Sequence, residues 1–221
     1  MRHFGTTKFN KTILLRRLIS FIGSRVYRQE YLLLRDKLLI ENERIQKQFQ
    51  LTYYKTLEKL LISGEDHRFK YHLGFDVIAI LRALKNRLLY NKIEGASTIE
   101  QQLVRVLTND FDKTFKRKVK EIFLSTTLNE IVPRKHIPII YLHVAYYGTG
   151  MNGLNQVFKK LNIDDSKVIS NDLCAEIIAR IKYPEPQSIN PRRLSQIEMR
   201  KNHLLALYNK HNSYKQFKIY G

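Results

Sequence analysis

Apolar residues recur at helical spacing along most of the chain. Leu57, Leu60 and Leu61 follow this spacing within residues 12–62, which the pattern divides into two or three helices. Further helices are predicted over 76–90, 113–131, 138–147, 171–181 and 192–209. No long segment alternates apolar and polar residues as a half-buried strand does. The chain is therefore predicted to be all-α or mostly α.

Two interruptions of the pattern place polar residues at helix ends. Ser63 and Gly64 precede Glu65, which is therefore expected at a helix end or turn. In the second interruption, "EGASTIEQQLVR" (94–105) crowds hydroxyls, amides and a cation together. Either hydroxyl can cap the following helix, and an acid or amide three positions later can complete a capping box; the candidates are Ser97, Thr98, Glu100 and Gln101. Capping leaves Gln102 and Arg105 unexplained.

The segment 113–131 has the clearest amphipathic pattern in the chain. Its apolar side comprises Phe115, Val119, Ile122 and Phe123, and its polar side comprises Arg117, Lys118 and Glu121. An amphipathic helix buries its apolar side, so we expect the polar side to face solvent or a ligand. Pairing at i, i+3 and i, i+4 would make this a solvated salt-bridged face, but several cations together also suit a diphosphate.

The charge balance indicates an anionic partner. Lys and Arg number 39 against 20 Asp and Glu, a net charge of +19. Nucleic acid, an anionic membrane surface and a phosphorylated substrate all fit, but no nucleic-acid readout motif accompanies the charge, so nucleic acid is not expected. Cys174 is the only cysteine, which excludes an internal disulfide, and the histidines lack metal-ligand spacing.

The N-terminal segment is predicted to be a basic helical arm, residues 1–54, ahead of a domain formed by residues 55–221. No apolar run reaches the length of about 18 residues that a membrane-spanning helix needs. Residues 13–22, "ILLRRLISFI", form a basic amphipathic helix that suits either an anionic membrane surface or packing on its own domain.

Glu65 and Asp66 are adjacent acids in a basic chain. An exposed acidic pair is the commoner meaning of such a dipeptide. A carboxylate shielded from water can instead take a proton from a sugar hydroxyl in a transition state. Both readings stay open on these residues alone.

Five segments together resemble one known family. "EDHRFKYHLGFD", "GASTIEQQLVR", "KTFKRKVKE", "IPIIYLHVAYYGTGMNG" and "KYPEPQSINP" are similar, in order and spacing, to the motifs of the peptidoglycan glycosyltransferases, glycosyltransferase family 51. The resemblance covers roughly residues 55–205. It implies a lysozyme-like, mostly helical fold that polymerises lipid II, a polyprenyl-diphosphate-linked disaccharide, at a membrane surface.

The resemblance also implies residue roles. Glu65 matches the general base that deprotonates the acceptor hydroxyl in an inverting reaction, and Glu121 matches an acid that organises the donor diphosphate, in some cases through Mg²⁺ or Mn²⁺. Donor-binding positions are matched by Ser97, Gln101, Arg105, Lys113, Arg117, Lys118 and Lys120. His72 and Asp76 match the first motif and are assigned structural roles. No organic cofactor is implied.

The sequence departs from the family pattern at several positions. Val106 and His143 stand where asparagines are usual, and Glu100 stands where threonine is usual. A non-catalytic relative that binds lipid diphosphates is therefore an alternative, and a basic nucleic-acid-binding protein is a second. The predicted location is peripheral at the cell membrane, on a side that the sequence leaves open, and no oligomeric state is predicted.

Overall fold

The computed structural model describes residues 4–46, 52–163 and 169–213, with backbone alone for 4–13 and 52–53. The regular elements in these ranges are α1 (Phe4–Val26), α2 (Arg28–Gln46), α3 (Thr52–Glu65), α4 (Val77–Tyr90), α5 (Ile99–Thr108), α6 (Phe115–Ile131), α7 (Ile137–Val144), β1 (Tyr146–Gly148), β2 (Met151–Asn152), α8 (Leu154–Lys160), α9 (Asn171–Lys182) and α10 (Pro191–Ser213). The strands form one short antiparallel hairpin. The prediction of a mostly α fold is confirmed.

The chain divides into two compact units. The first unit comprises residues 1–40 and 68–134, and the second comprises 41–67 and 135–221. Helix α2 begins in the first unit and ends in the second. The predicted division between an arm and a domain after residue 54 stays a prediction, and residues 1–3 and 47–51 of that arm lie outside the described residues.

In the first unit, α6 packs against both α1 and α5. Gly23 of α1 allows this approach, because a Cβ on it would lie 3.0 Å from Cβ of Phe123. Tyr27, next to α1, places its ring 6.1 Å from that of Phe123. The apolar side of α6 therefore meets α1.

The polar side of α6 closes around a buried acid. Glu121 is 1% exposed, whereas Phe115 on the apolar side is 84% exposed. Ion pairs with Arg105, Arg117 and Lys118 balance the buried carboxylate and satisfy its oxygens. A periodicity argument counts apolar residues and misses a polar network of this kind.

Helix α4 begins at an N-cap aspartate. Oδ1 of Asp76 accepts hydrogen bonds from the backbone nitrogens of Ile78 (2.9 Å) and Ala79 (3.2 Å), and its Oδ2 accepts one from Nε of Arg68 (2.7 Å). Burial opposes ionisation of Asp76, but the hydrogen bonds from Ala79 and Arg68 and the nearby positive charge hold its pKa below the ordinary value. Asp76 thus has the structural role that we predicted.

The second unit is built around α3, which packs against α7, α9 and α10. Leu57, Leu60 and Leu61 are fully buried, as their spacing predicted. The hairpin packs on α9, and its Gly148 approaches the segment after that helix, where a Cβ would lie 2.3 Å from the backbone oxygen of Glu185. Cys174 is also fully buried, and burial raises the pKa of its thiol to about 12.

Candidate active site

Glu121 lies at the centre of a group of cations in the first unit. Its Oε1 accepts a hydrogen bond from Nε of Arg105 at 2.7 Å and another from Nη1 of Arg117. Its Oε2 accepts one from Nζ of Lys118 at 3.2 Å. Helix α5 supplies the first cation and α6 supplies the other two. Ion pairing at i, i+3 and i, i+4 thus occurs, but around a buried acid.

Lys118 connects this acid to the start of α5. Its Nζ donates to Oγ of Ser97 at 2.8 Å and lies 3.5 Å from Oε1 of Gln101. Burial lowers the pKa of the Lys118 ammonium, Glu121 opposes that shift, and the charges of Arg105 and Arg117 add to it. We call Ser97, Arg105, Arg117, Lys118 and Glu121 the Glu121 cluster.

The start of α5 is fixed by a capping box, which decides between the predicted alternatives. Oγ1 of Thr98 accepts from the backbone nitrogen of Gln101, and Oε1 of Gln101 accepts from the backbone nitrogen of Thr98. Thr98 also donates to the backbone oxygen of Gly74 at 2.5 Å. Thr98 therefore caps the helix, which leaves the Ser97 hydroxyl for Lys118.

Gln101 is fully buried, and its Nε2 has no hydrogen-bond partner within the described residues. Its side chain thus holds the helix start and approaches Lys118. Its predicted contact with substrate stays a prediction.

The two remaining predicted lysines lie apart from the Glu121 cluster. Nζ of Lys120 pairs with Asp110 at 2.7 Å and with Glu30 at 3.3 Å. Lys113 is exposed, and among the described residues it makes neither an ion pair nor a hydrogen bond. The structure brings neither lysine to Glu121, and their predicted roles in substrate binding stay predictions.

The Glu121 cluster carries an excess of positive charge. Three cations surround one carboxylate, which leaves a formal balance of +2. Stability does not require three cations for one acid, because replacing buried ionic groups by apolar ones is often neutral or stabilising. Convergent cations with a hydroxyl at a helix start are instead the groups that bind phosphate oxygens.

Glu65 is the last residue of α3, as its position after Ser63 and Gly64 predicted. Its Oε1 accepts a hydrogen bond from Nη2 of Arg200 at 2.9 Å, and the same nitrogen donates to the backbone oxygen of Gly64 at 2.8 Å. A Cβ on Gly64 would lie 2.2 Å from the Leu204 side chain, so glycine lets α10 approach here. The carboxylate is thus held by a nearly buried guanidinium within the second unit.

Sequence reasoning missed Arg200. It stands 135 positions from Glu65 and is one of 39 basic residues, with no local pattern to distinguish it. It also missed Arg134, whose Nη2 lies 3.2 Å from Oε1 of the fully buried Glu100. The departure at Glu100 is therefore accommodated by an ion pair of a buried carboxylate with a partly exposed guanidinium.

The departure at His143 is also accommodated. Nε2 of His143 lies 3.0 Å from the hydroxyl of Tyr54, and the two rings stack at 5.7 Å. Burial lowers the pKa of His143 to about 4, and the charge of Arg44 contributes, so the ring is neutral at pH 7.

These motifs belong to a known family. A family model described as Transglycosylase matches residues 39–209, and the chain therefore belongs to the transglycosylase family. The resemblance drawn from the sequence is confirmed.

Three relatives illustrate the similarity. The chain is 28% identical over 153 residues to a biosynthetic peptidoglycan transglycosylase of Thiobacillus denitrificans, which covers 69% of this chain and 65% of the relative. It is 30% identical over 179 residues to penicillin-binding protein 1A of Clostridium acetobutylicum, and this match covers 75% of this chain and 22% of the relative. A biosynthetic peptidoglycan transglycosylase of Haemophilus influenzae is 33% identical over 135 residues, and this match covers 61% of this chain and 56% of the relative. The chain thus spans less than two thirds of the length of each.

Proposed function

We propose that this protein is a peptidoglycan glycosyltransferase that polymerises a lipid II-type, polyprenyl-diphosphate-linked disaccharide. The observation that carries the proposal is the Glu121 cluster, where three cations and a hydroxyl from separate segments converge on one buried acid. Family membership supports it. A diphosphate is the leaving group of this reaction, and the cluster has the charge to receive one.

The proposed step is an inverting displacement at the donor anomeric carbon. Glu65 takes the proton of the acceptor 4-hydroxyl while the acceptor oxygen bonds to that carbon. The bond from the carbon to the diphosphate oxygen breaks, and polyprenyl diphosphate leaves with the electron pair. Arg105, Arg117 and Lys118 stabilise the negative charge that grows on the diphosphate, which lowers the barrier more than it tightens substrate binding.

Within the Glu121 cluster, the acid orients the cations. Its two oxygens fix both guanidinium groups and the ammonium group, so these donors require little reorganisation during the reaction. The expected Mg²⁺ or Mn²⁺ at Glu121 stays a prediction. Cationic side chains already engage both carboxylate oxygens, whereas these metal ions prefer several oxygen ligands, so a metal ion would have to displace those cations.

Replacing Lys118 by Met tests the role of the Glu121 cluster. Glycan polymerisation from lipid II, measured with the purified protein, should fall about 100-fold, because one preorganised donor to the leaving group is lost. The matched control is Lys116→Met, which removes the same charge from an exposed position on the same helix.

The control should retain wild-type turnover. Equal activity of the two variants would contradict the proposed role of the cluster. Tight binding of lipid II by the wild-type protein without any polymer would instead identify the non-catalytic alternative, which the departures at Val106 and His143 suggested.

We also propose that the first unit lies on an anionic membrane surface. None of the described helices is long and apolar enough to cross a bilayer. Large apolar side chains are exposed on α4, namely Val77, Ile78, Leu81, Leu84, Leu88, Leu89 and Tyr90, and on α1, namely Leu14, Leu15, Leu18, Phe21, Ile22 and Val26. Apolar residues beside Arg16 and Arg17 are the features of an interfacial helix.

Vesicle binding tests this membrane surface. The double variant Leu84→Asn/Leu88→Asn should weaken co-sedimentation with phosphatidylglycerol-containing vesicles by about tenfold or more, because it removes apolar area that would be buried in the interface. Leu194→Asn/Met199→Asn, two exposed apolar positions on α10 in the second unit, is the control. Equal binding by both double variants would show that α4 is not the contacting surface.

A further inference from the structure

An apolar groove lies in the first unit between α1 and the start of α4. It has a volume of about 280 Å³. Its apolar lining comprises Leu15, Ile19, Leu73, Phe75, Val77 and Ile78. Leu15, Val77 and Ile78 are each more than half exposed, so the groove opens to the surface. Soluble proteins rarely leave a connected apolar area of this kind open without a binding role.

Two arginines line the groove, and two further cations neighbour them in the sequence. Arg68 and Lys70 both approach the exposed ring of Tyr71, at 5.5 Å and 4.8 Å from its centroid. Arg16 lines the groove from α1, and Arg17 follows it in the sequence. Asp76 and Glu130 are the nearby acids, so these four cations exceed them by a formal charge of +2. An anionic group is therefore favoured at this mouth.

The polar groups of the groove are largely engaged within the protein. The Asp76 carboxylate accepts from Arg68 and from the start of α4, and the Thr126 hydroxyl donates to the backbone oxygen of Phe123 at 2.7 Å. A peptide in the groove would need partners for its own backbone groups. A hydrocarbon chain needs none, so it suits this lining better.

We propose that the groove binds one hydrocarbon chain of an anionic phospholipid, with the lipid phosphate held by the cations at its mouth. This lipid is distinct from the glycosyl donor, and its binding does not depend on the proposed activity. The chain would leave the bilayer interface at α4 and pack between α1 and α4. The protein would thus carry a bound lipid in addition to resting on the surface.

The groove shares a backbone segment with the candidate active site. Leu73 and Phe75 line the groove, and Gly74 between them accepts the hydrogen bond from Thr98 that helps to hold the start of α5. A lipid chain in the groove therefore packs against the segment that supports the Glu121 cluster.

Calorimetric titration with a short-chain phosphatidylglycerol, kept below its critical micelle concentration, tests the proposal without a bilayer. The full chain should bind one lipid per protein. Ile78→Trp, which fills the groove from an exposed position, should weaken this binding by about tenfold or more, because the added ring occupies the space of the chain. Leu88→Trp, on exposed α4 surface outside the groove, should bind as the wild-type protein does.

Three further measurements distinguish an anionic phospholipid from other ligands of the groove. Ile19→Trp fills the groove from α1 and should reproduce the loss, with circular dichroism confirming that both tryptophan variants are folded. Short-chain phosphatidylcholine should bind more weakly than phosphatidylglycerol, and inorganic phosphate should not displace the lipid. The proposal is overturned if phosphatidylglycerol does not saturate, if Ile78→Trp and Leu88→Trp bind equally, or if polyprenyl diphosphate competes for the groove.

Discussion

Glu65→Gln should reduce glycan polymerisation by about 1,000-fold while leaving the protein folded, because general-base catalysis contributes about 100- to 10,000-fold. An amide keeps the size of the side chain and can still accept a hydrogen bond from Arg200, but it cannot take the acceptor proton. The measurement is initial rate against lipid II concentration for both proteins. The loss should appear in kcat, with KM little changed, because the missing interaction belongs to the transition state.

Two variants sharpen this test. Glu43→Gln, an exposed acid on α2, controls for the loss of one negative charge and should be fully active. Arg200→Met removes the guanidinium that holds the Glu65 carboxylate, and it should lower kcat because the base is no longer held in position. Full activity of Glu65→Gln would remove Glu65 from the mechanism.

Arg134→Met should lower the free energy of unfolding by about 3–5 kcal/mol, because it leaves the carboxylate of Glu100 in the interior without the guanidinium that balances it. Glu100 is fully buried, and Nη2 of Arg134 lies 3.2 Å from its Oε1. Arg134 also donates to the backbone oxygen of Phe69 and stacks on that ring at 4.5 Å. Urea denaturation at pH 7 measures the loss.

A second substitution tests whether the buried charge of Glu100 causes this loss of stability. Glu100→Thr, which introduces the residue usual in the family, should restore most of the stability when combined with Arg134→Met, because no carboxylate then remains to be balanced. Arg87→Met, at an exposed position on α4, should change the free energy of unfolding by less than about 0.5 kcal/mol. A double variant as unstable as Arg134→Met would assign the loss to the Phe69 contacts instead.

The helices and the position of Glu65 could be predicted because they depend on neighbours in the sequence. Leu57, Leu60 and Leu61 share one side of α3 by their spacing alone, and Ser63 and Gly64 mark its end. These signals are local, and the structure agrees with them.

The Glu121 cluster was predicted in a different way. Ser97, Arg105, Arg117, Lys118 and Glu121 were identified because they match motifs of a family, and the structure brings them together. Periodicity alone did not predict that Glu121 is buried, since it treats every charged residue as a surface residue. A charged group balanced by three partners breaks that assumption.

The partners of Glu65 and Glu100 could not be predicted. Arg200 and Arg134 contact acids that are far away in the sequence. Each is one of 39 basic residues, and no local pattern distinguishes it from the other 38. Which cation reaches a given acid is decided by helix packing. The exposure of the apolar residues of α4 was not predicted either, because periodicity shows which residues share a helix face but not what that face contacts.

Gly74 limits how this protein can vary. Its φ of +113° is one that side-chain-bearing residues rarely adopt, and an added Cβ would lie 2.7 Å from the backbone of Ser125. By contrast, Gly95, just before the cap of α5, has nothing within 4 Å of such an atom. Substitutions should therefore be excluded at position 74 and tolerated at position 95. During evolution, the segment before α5 can change in sequence, whereas the backbone at Gly74, which accepts the hydrogen bond from Thr98, cannot.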